Sequence, residues 1–246
     1  MVPMQVLDSS DSTFDSTTPR NGLRVLLVYP NTRDVAMANL GFQQVYSLLN
    51  KIEGVECDRY ALPVGWKPET QSLDREALCS IDLKMHPLEF DVIAFSISFE
   101  PDYLNAVLSL KYFGVPLDRE DRDDSYPMIT AGGSAIFINP EPLAECMDAL
   151  FIGEGEGLAE SFFGLLRGSE DRDQFFECAG SIPGIYLPQG YLPKMEENLQ
   201  VGLLALKGVP PRVVRHWVEQ EESLCTHSVF PDEDSTFKDM ALMEVT

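Results

Sequence analysis

The 246-residue chain carries 40 acidic against 18 basic residues, a formal net charge of −22, and 44% of its residues are hydrophobic. The apolar share suffices for a core in one ample domain with an appendage or in two small ones, and the charge argues against a nucleic-acid or anionic-membrane surface. No apolar run reaches the length of a membrane span and the N-terminus lacks the basic-then-apolar layout of a signal peptide, so a cytoplasmic location is expected.

Met1 to Arg20, rich in Ser, Thr and Asp, reads as a disordered leader. Arg24 to Tyr29 is a continuous apolar strand closed by Pro30, followed by a polar turn over Asn31 to Asp34. The spacing predicts a helix from about Ala38 to Lys51 that buries Leu40, Val45, Leu48 and Leu49 and ends at Gly54. Val55 to Leu62 alternates as a strand nearer a sheet edge does. Pro63 to Pro87 reads as a loop excursion carrying Trp66, with a weak helical patch near Leu73 to Leu78. Asp91 to Ser98 is the clearest central strand, and its end, Ser96 to Glu100, should face a ligand crevice. A helix over Asp102 to Phe113 stops at Gly114, and the acidic run Asp118 to Asp124 is a solvated loop.

The stretch Pro127 to Gly157 is the most informative. Met128 to Ala131 is a buried-strand run that stops at Gly132-Gly133, where the backbone can turn sharply and bring N–H groups to a ligand. Ser134 is placed to cap the next element, and Asn139-Pro140-Glu141-Pro142 opens a short helix over Leu143 to Met147. Asp148 to Ile152 is the next strand, ending in Gly153-Glu154-Gly155-Glu156-Gly157. Two glutamates make this a poor phosphate cradle; they suit a helix N-terminus or acceptance of hydrogen bonds from a ligand's hydroxyl or amide groups. Each glycine pair alone is explained by a strand-to-helix turn, but two at the ends of consecutive strands point to a crevice.

With a further helix over Leu158 to Arg167, the pattern is α/β: a doubly wound, parallel, five-stranded sheet in the order 2-1-3-4-5, flavodoxin- or Rossmann-like. Beyond Gly168 a helix at Asp173 to Ala179, a β segment at Ile185 to Leu187 and runs at Val201 to Leu206 and Val213 to Val218 form an irregular α+β extension. The layout is therefore a leader (1–20), a Rossmann-like domain (21–167) and an extension and linker (168–246). Met240 to Thr246 is a strand-like run with no turn after it, as expected of a segment cut from something longer.

No catalytic constellation stands out. Cys57, Cys79, Cys146, Cys178 and Cys225 include no CxxC pair, and Cys225 with His227 is at best half a metal site. His86 and His216 stand apart, and neither GxSxG nor a Walker GxxxxGK[ST] is present. A phosphoreceiver domain would need an aspartate at the third strand's end, where Ser98 and Phe99 stand.

VLLVYPN, Ala38-Asn39-Leu40-Gly41, DVIAFSIS, ITAGG with NPEPLAE, and DALFIGEGE occur in order over roughly Leu23 to Arg167. In this combination the chain resembles the N-terminal cobalamin-binding-like domain of radical S-adenosylmethionine (radical SAM) proteins. The resemblance implies a barrel beyond Thr246 whose CxxxCxxC loop holds a 4Fe-4S cluster and cleaves S-adenosylmethionine; none of the five cysteines supplies that spacing here. That barrel is the implied partner. It further implies that Gly132, Gly133 and Ser134 lie against a corrinoid's nucleotide tail. Gly153, Glu154, Gly155 and Glu156 share the rim, with Asn39 and Gly41 at the first loop and Ser96 and Ser98 at the third. One departure concerns the metal: Asp34 to Gly41, DVAMANLG, has no histidine where a DxHxxG motif would give cobalamin a protein imidazole. Two alternatives stay open, a degenerate scaffold or docking module that binds no cofactor, and a nucleotide-dependent transferase, which the glutamates and the absence of a basic phosphate clamp disfavour.

Overall fold

The computed structural model describes residues 22–66, 77–197, 199–218 and 240. The expected leader, the first part of the patch at Leu73 to Leu78, the Cys225–His227 pair and the run from 241 onward lie outside the described residues.

A six-stranded sheet runs in the order β2-β1-β3-β4-β5-β6, built from β1 (Leu23–Thr32), β2 (Val55–Leu62), β3 (Val92–Ser96), β4 (Met128–Gly132), β5 (Ala149–Phe151) and β6 (Ile185–Tyr186). The first five are parallel in the order 2-1-3-4-5, with β2 at one edge and β3 inside the sheet. The sixth strand is an addition to the expected sheet. Gly184 takes φ 92°, which turns the chain back so that β6 pairs antiparallel with β5.

Because β1 is buried on both faces, its residues serve two cores by simple alternation. Val25, Leu27 and Tyr29 pack under α1 (Arg33–Ala38), α2 (Leu40–Leu49), α5 (Leu158–Gly168) and α6 (Arg172–Ala179). Leu26 and Val28 pack under α3 (Asp102–Phe113) and α4 (Ser134–Ile138) on the other face. Helices on both faces make the sheet doubly wound. α6 and β6 follow Arg167 and share the core under α5 through Phe175, Ala179 and Ile185. A separate hairpin of β7 (Tyr191–Glu196) and β8 (Leu199–Ala205) follows.

Three local expectations need correction. The helix expected from about Ala38 starts at Leu40, because Asn39 takes an extended conformation and caps α2, accepting from the Phe42 amide, and a separate helix, α1, precedes it from within the expected polar turn. Phe42, not Leu40 or Val45, is its fully buried anchor. Ser134 is not a cap: it is the first residue of α4, with Gly133 at the N-cap. The helix therefore precedes the NPEP sequence, and Glu141–Leu143 is only a single 3-10 turn. Finally, the acidic loop is not wholly solvated. Arg119 donates to the carbonyls of Ala144 and Met147, and Arg122 forms a buried pair with Asp148 at 2.9 Å.

Candidate functional site

The loops after β1, β3 and β4 meet at the carboxyl edge, where the connections from β1 and β3 depart to opposite faces. In open α/β sheets this switch point is where ligands lodge. Asn39 links two of the loops: Nδ2 donates to the Tyr29 hydroxyl and to Ser98 Oγ, each at 3.3 Å, while Oδ1 caps α2. Gly41 lies exposed in the first turn of α2. Ser96 is buried and ends β3 opposite Gly132. Ser98 holds the third loop to the fourth, its carbonyl accepting from Ser134 Oγ at 3.0 Å. Gly133 has φ 111°, and a Cβ there would collide with the Ile97 carbonyl. Asn39, Ser98, Gly132, Gly133 and Ser134 thus form one continuous lip.

The other predicted half of the rim is differently engaged. Gly153 has φ 129° and pairs in parallel with His216, so residues 213–218 run across the GEGEG turn as a strap. The Ile152 carbonyl accepts from the His216 amide, and Glu154's amide donates to the His216 carbonyl. Glu154 Oε2 accepts from the Val218 amide at 2.6 Å, and Arg215 lies 3.6 Å from Oε1 and 4.5 Å over the Phe137 ring. His216 Nε2 meets the Glu156 carbonyl at 2.8 Å. Gly155 packs towards Leu48, and Gly157 takes φ 73° at the N-cap of α5. The acceptors that a ligand could use at Glu154 are taken by the chain's own amide and guanidinium groups.

Sequence reasoning missed the inner wall. Asp102, at the start of α3, is only 3% exposed. Its Oδ1 accepts from Asn31 at 2.8 Å and Asn105 at 3.4 Å, whereas Oδ2 is buried with no hydrogen-bond partner among the described residues. Burial raises this carboxyl's pKa, opposed by the two asparagines. Burial likewise raises Tyr29, assisted by the charge of Asp102 and opposed by hydrogen bonds from Ser98 and Asn39. Tyr103 ties α3 to α4 through the Ala135 and Asn139 carbonyls. An aspartate in the first helical turn is an ordinary sequence feature, and burial of its free oxygen leaves no mark in the sequence. Phe99 and Ile138, 58% and 72% exposed, follow β3 and close α4, adding apolar surface on these loops.

A cleft of about 450 Å³ lined by Leu88, Phe90, Tyr126, Leu166 and Arg172 lies at the opposite, amino end of the strands. Its position is not that of a ligand crevice in this sheet type. Among the described residues no group of three His, Cys, Asp or Glu side chains is arranged to hold a metal ion, and no helix is long and apolar enough to cross a membrane.

The family model described as "Radical SAM proteins, N-terminal" matches residues 41–188, from the first turn of α2 to just past β6. No curated protein matches the chain. Among solved structures, the cobalamin-dependent S-adenosylmethionine radical enzyme OxsB, with aqua-cobalamin and S-adenosylmethionine bound, matches at 15% identity and a TM-score of 0.44. The alignment covers 78% of this chain and 24% of that one, so the chain spans about a quarter of OxsB.

Proposed function

This chain belongs to the N-terminal family of radical SAM proteins, and on that premise we propose that it is the cobalamin-binding-like domain of a radical SAM iron-sulfur enzyme. In this reading the CxxxCxxC barrel, with its 4Fe-4S cluster and S-adenosylmethionine, lies outside these 246 residues and is the domain's partner. The observation that carries the cofactor assignment is the buried, unpaired Oδ2 of Asp102 at the switch point of the sheet. A buried acceptor without a donor costs stability, and at the ligand end of the sheet a donor on a bound group would relieve that cost.

The residues of the crevice suit a large amide-bearing ring. Gly132 and Gly133 keep the lip free of side chains, Ser98 and Ser134 offer hydroxyls, Asn39 holds the first and third loops together, and Phe99 and Ile138 offer apolar surface. A bound corrinoid would supply the organometallic chemistry; this chain would hold and orient it. The first loop offers no imidazole to the metal, and His216 is engaged with the Glu156 carbonyl.

One observation favours a second reading, a scaffold that binds no cofactor: the strap already fills the hydrogen-bonding positions of Glu154. Titration with hydroxocobalamin separates the two. Saturable change in the corrin absorption with a rise in melting temperature supports the cofactor domain; no binding and no stabilisation support the scaffold. The barrel is tested separately, by whether the gene's continuing reading frame supplies CxxxCxxC.

A further inference from the structure

Asp102 is unlike the other acidic residues that open helices in this protein. Asp171 caps α6 by accepting from the Gln174 amide at 2.8 Å, and Asp118 accepts from the Glu120 amide at 3.1 Å. Asp102 makes no such bond. It lies one residue inside α3, whose N-cap is Pro101, and no side chain caps that helix. Its carboxyl instead faces the amides of Asn31, at the end of β1, and Asn105, one turn along α3.

An ionised carboxylate accepts on both oxygens, and one buried without a donor retains its full desolvation penalty. Two neutral amides satisfy Oδ1 and leave Oδ2 bare. Trp66 adjoins this cluster, its indole N–H donating to Asn105 Oδ1 at 3.3 Å, which makes it the neighbour a ligand approaching Oδ2 from α3 would meet.

We propose that Asp102 is a cofactor-binding residue whose Oδ2 accepts a hydrogen bond from a carboxamide N–H, the donor that rims a corrin ring, on an approach past Trp66. This role rests on the crevice being a cobalamin site. Its hydrogen-bond partners are two neutral amides, and a third amide N–H from the ligand extends the same set to the bare oxygen.

The test compares wild type with Asp102→Asn in hydroxocobalamin titrations, reading both affinity by corrin absorption and the melting temperature without cofactor. Asparagine presents an amide to an amide, so binding should weaken roughly tenfold or more, as expected on losing a hydrogen bond to a charged group. The cofactor-free variant should melt higher than wild type, since a neutral group replaces an uncompensated buried charge. Unchanged affinity in a wild type that binds overturns the role of Asp102 and leaves the cofactor reading standing. Absence of binding by wild type overturns both. A lower-melting cofactor-free variant marks Asp102 as a structural acceptor and also overturns the proposal. A second variant tests the approach: Trp66→Ala should speed cobalamin association severalfold, and an unchanged rate rejects the route to Oδ2 past that indole.

Discussion

Gly133 is the residue at which conformation and close packing coincide. Its φ of 111° is strained for any L side chain, and an added Cβ would strike the Ile97 carbonyl, part of the backbone that joins β3 to the lip. Gly133→Ala should therefore destabilise the domain by about 2–4 kcal/mol, read as a lower urea midpoint with an unchanged slope. Asp102 gives the second prediction at this scale. Burial raises its carboxyl above the ordinary carboxylate value, so between the two values the native state binds more protons than the unfolded chain. Its penalty is full above the raised value and relieved as pH falls through the window. The melting advantage of Asp102→Asn over wild type should be largest near neutrality and shrink towards about pH 4. Only the difference is diagnostic, because Asp82, which burial pushes up but Arg59's hydrogen bond and charge hold low overall, removes stability in acid from both proteins. Gly132-Gly133 was legible in the sequence because a turn is a local device, whereas Asn39 was placed on the rim by the resemblance alone and its capping of α2 was not read. Asp102 was not legible, because its burial depends on Asn31, 71 residues away in sequence.

Among the elements, those set by long-range pairing of apolar runs emerged where periodicity put them, with Val55–Leu62 and Asp102–Phe113 at the expected bounds. The misread elements are short and governed by a single backbone choice. Proline at 140 and 142 suggested a helix start after NPEP, but Gly133 starts the helix six residues before Asn139. The strap was read only as an apolar run because the partner that orders it, the edge of the GEGEG turn, has no complementary pattern in the sequence. That contact is testable through Gly153, whose added Cβ would occupy the position of the His216 carbonyl. Gly153→Ala should detach residues 213–218 while the six-stranded sheet persists: far-ultraviolet circular dichroism nearly unchanged, and amide exchange at His216 and Val218 accelerated by at least about tenfold. Protection retained at both amides would show that the strap is held by other contacts. If the strap competes with a ligand for Glu154, the same variant should also bind hydroxocobalamin at least as tightly as wild type.

For the molecule as a whole, the charge imbalance has an energetic consequence that no single contact shows. Several of the few cations are committed to pairs: Arg24 with Glu56, Arg59 with Asp82, Arg122 with Asp148, Arg172 with Asp124 and Arg215 with Glu154. With 40 acidic residues against 18 basic ones, the excess carboxylates dominate the surface and repel one another more in the compact state than in the unfolded chain. Salt weakens that repulsion over distances beyond the screening length, about 30 Å at 0.01 M and about 8 Å at 0.15 M, while the buried Arg122–Asp148 pair is screened far less. The melting temperature should consequently rise by several degrees as sodium chloride goes from about 0.01 to about 0.15 M, then flatten as the remaining interactions become short-ranged. Differential scanning calorimetry across that series decides between repulsion and pairing. A melting temperature that falls with salt would mean that the ion pairs contribute more than the net charge removes, and that the acidic surface is already locally balanced.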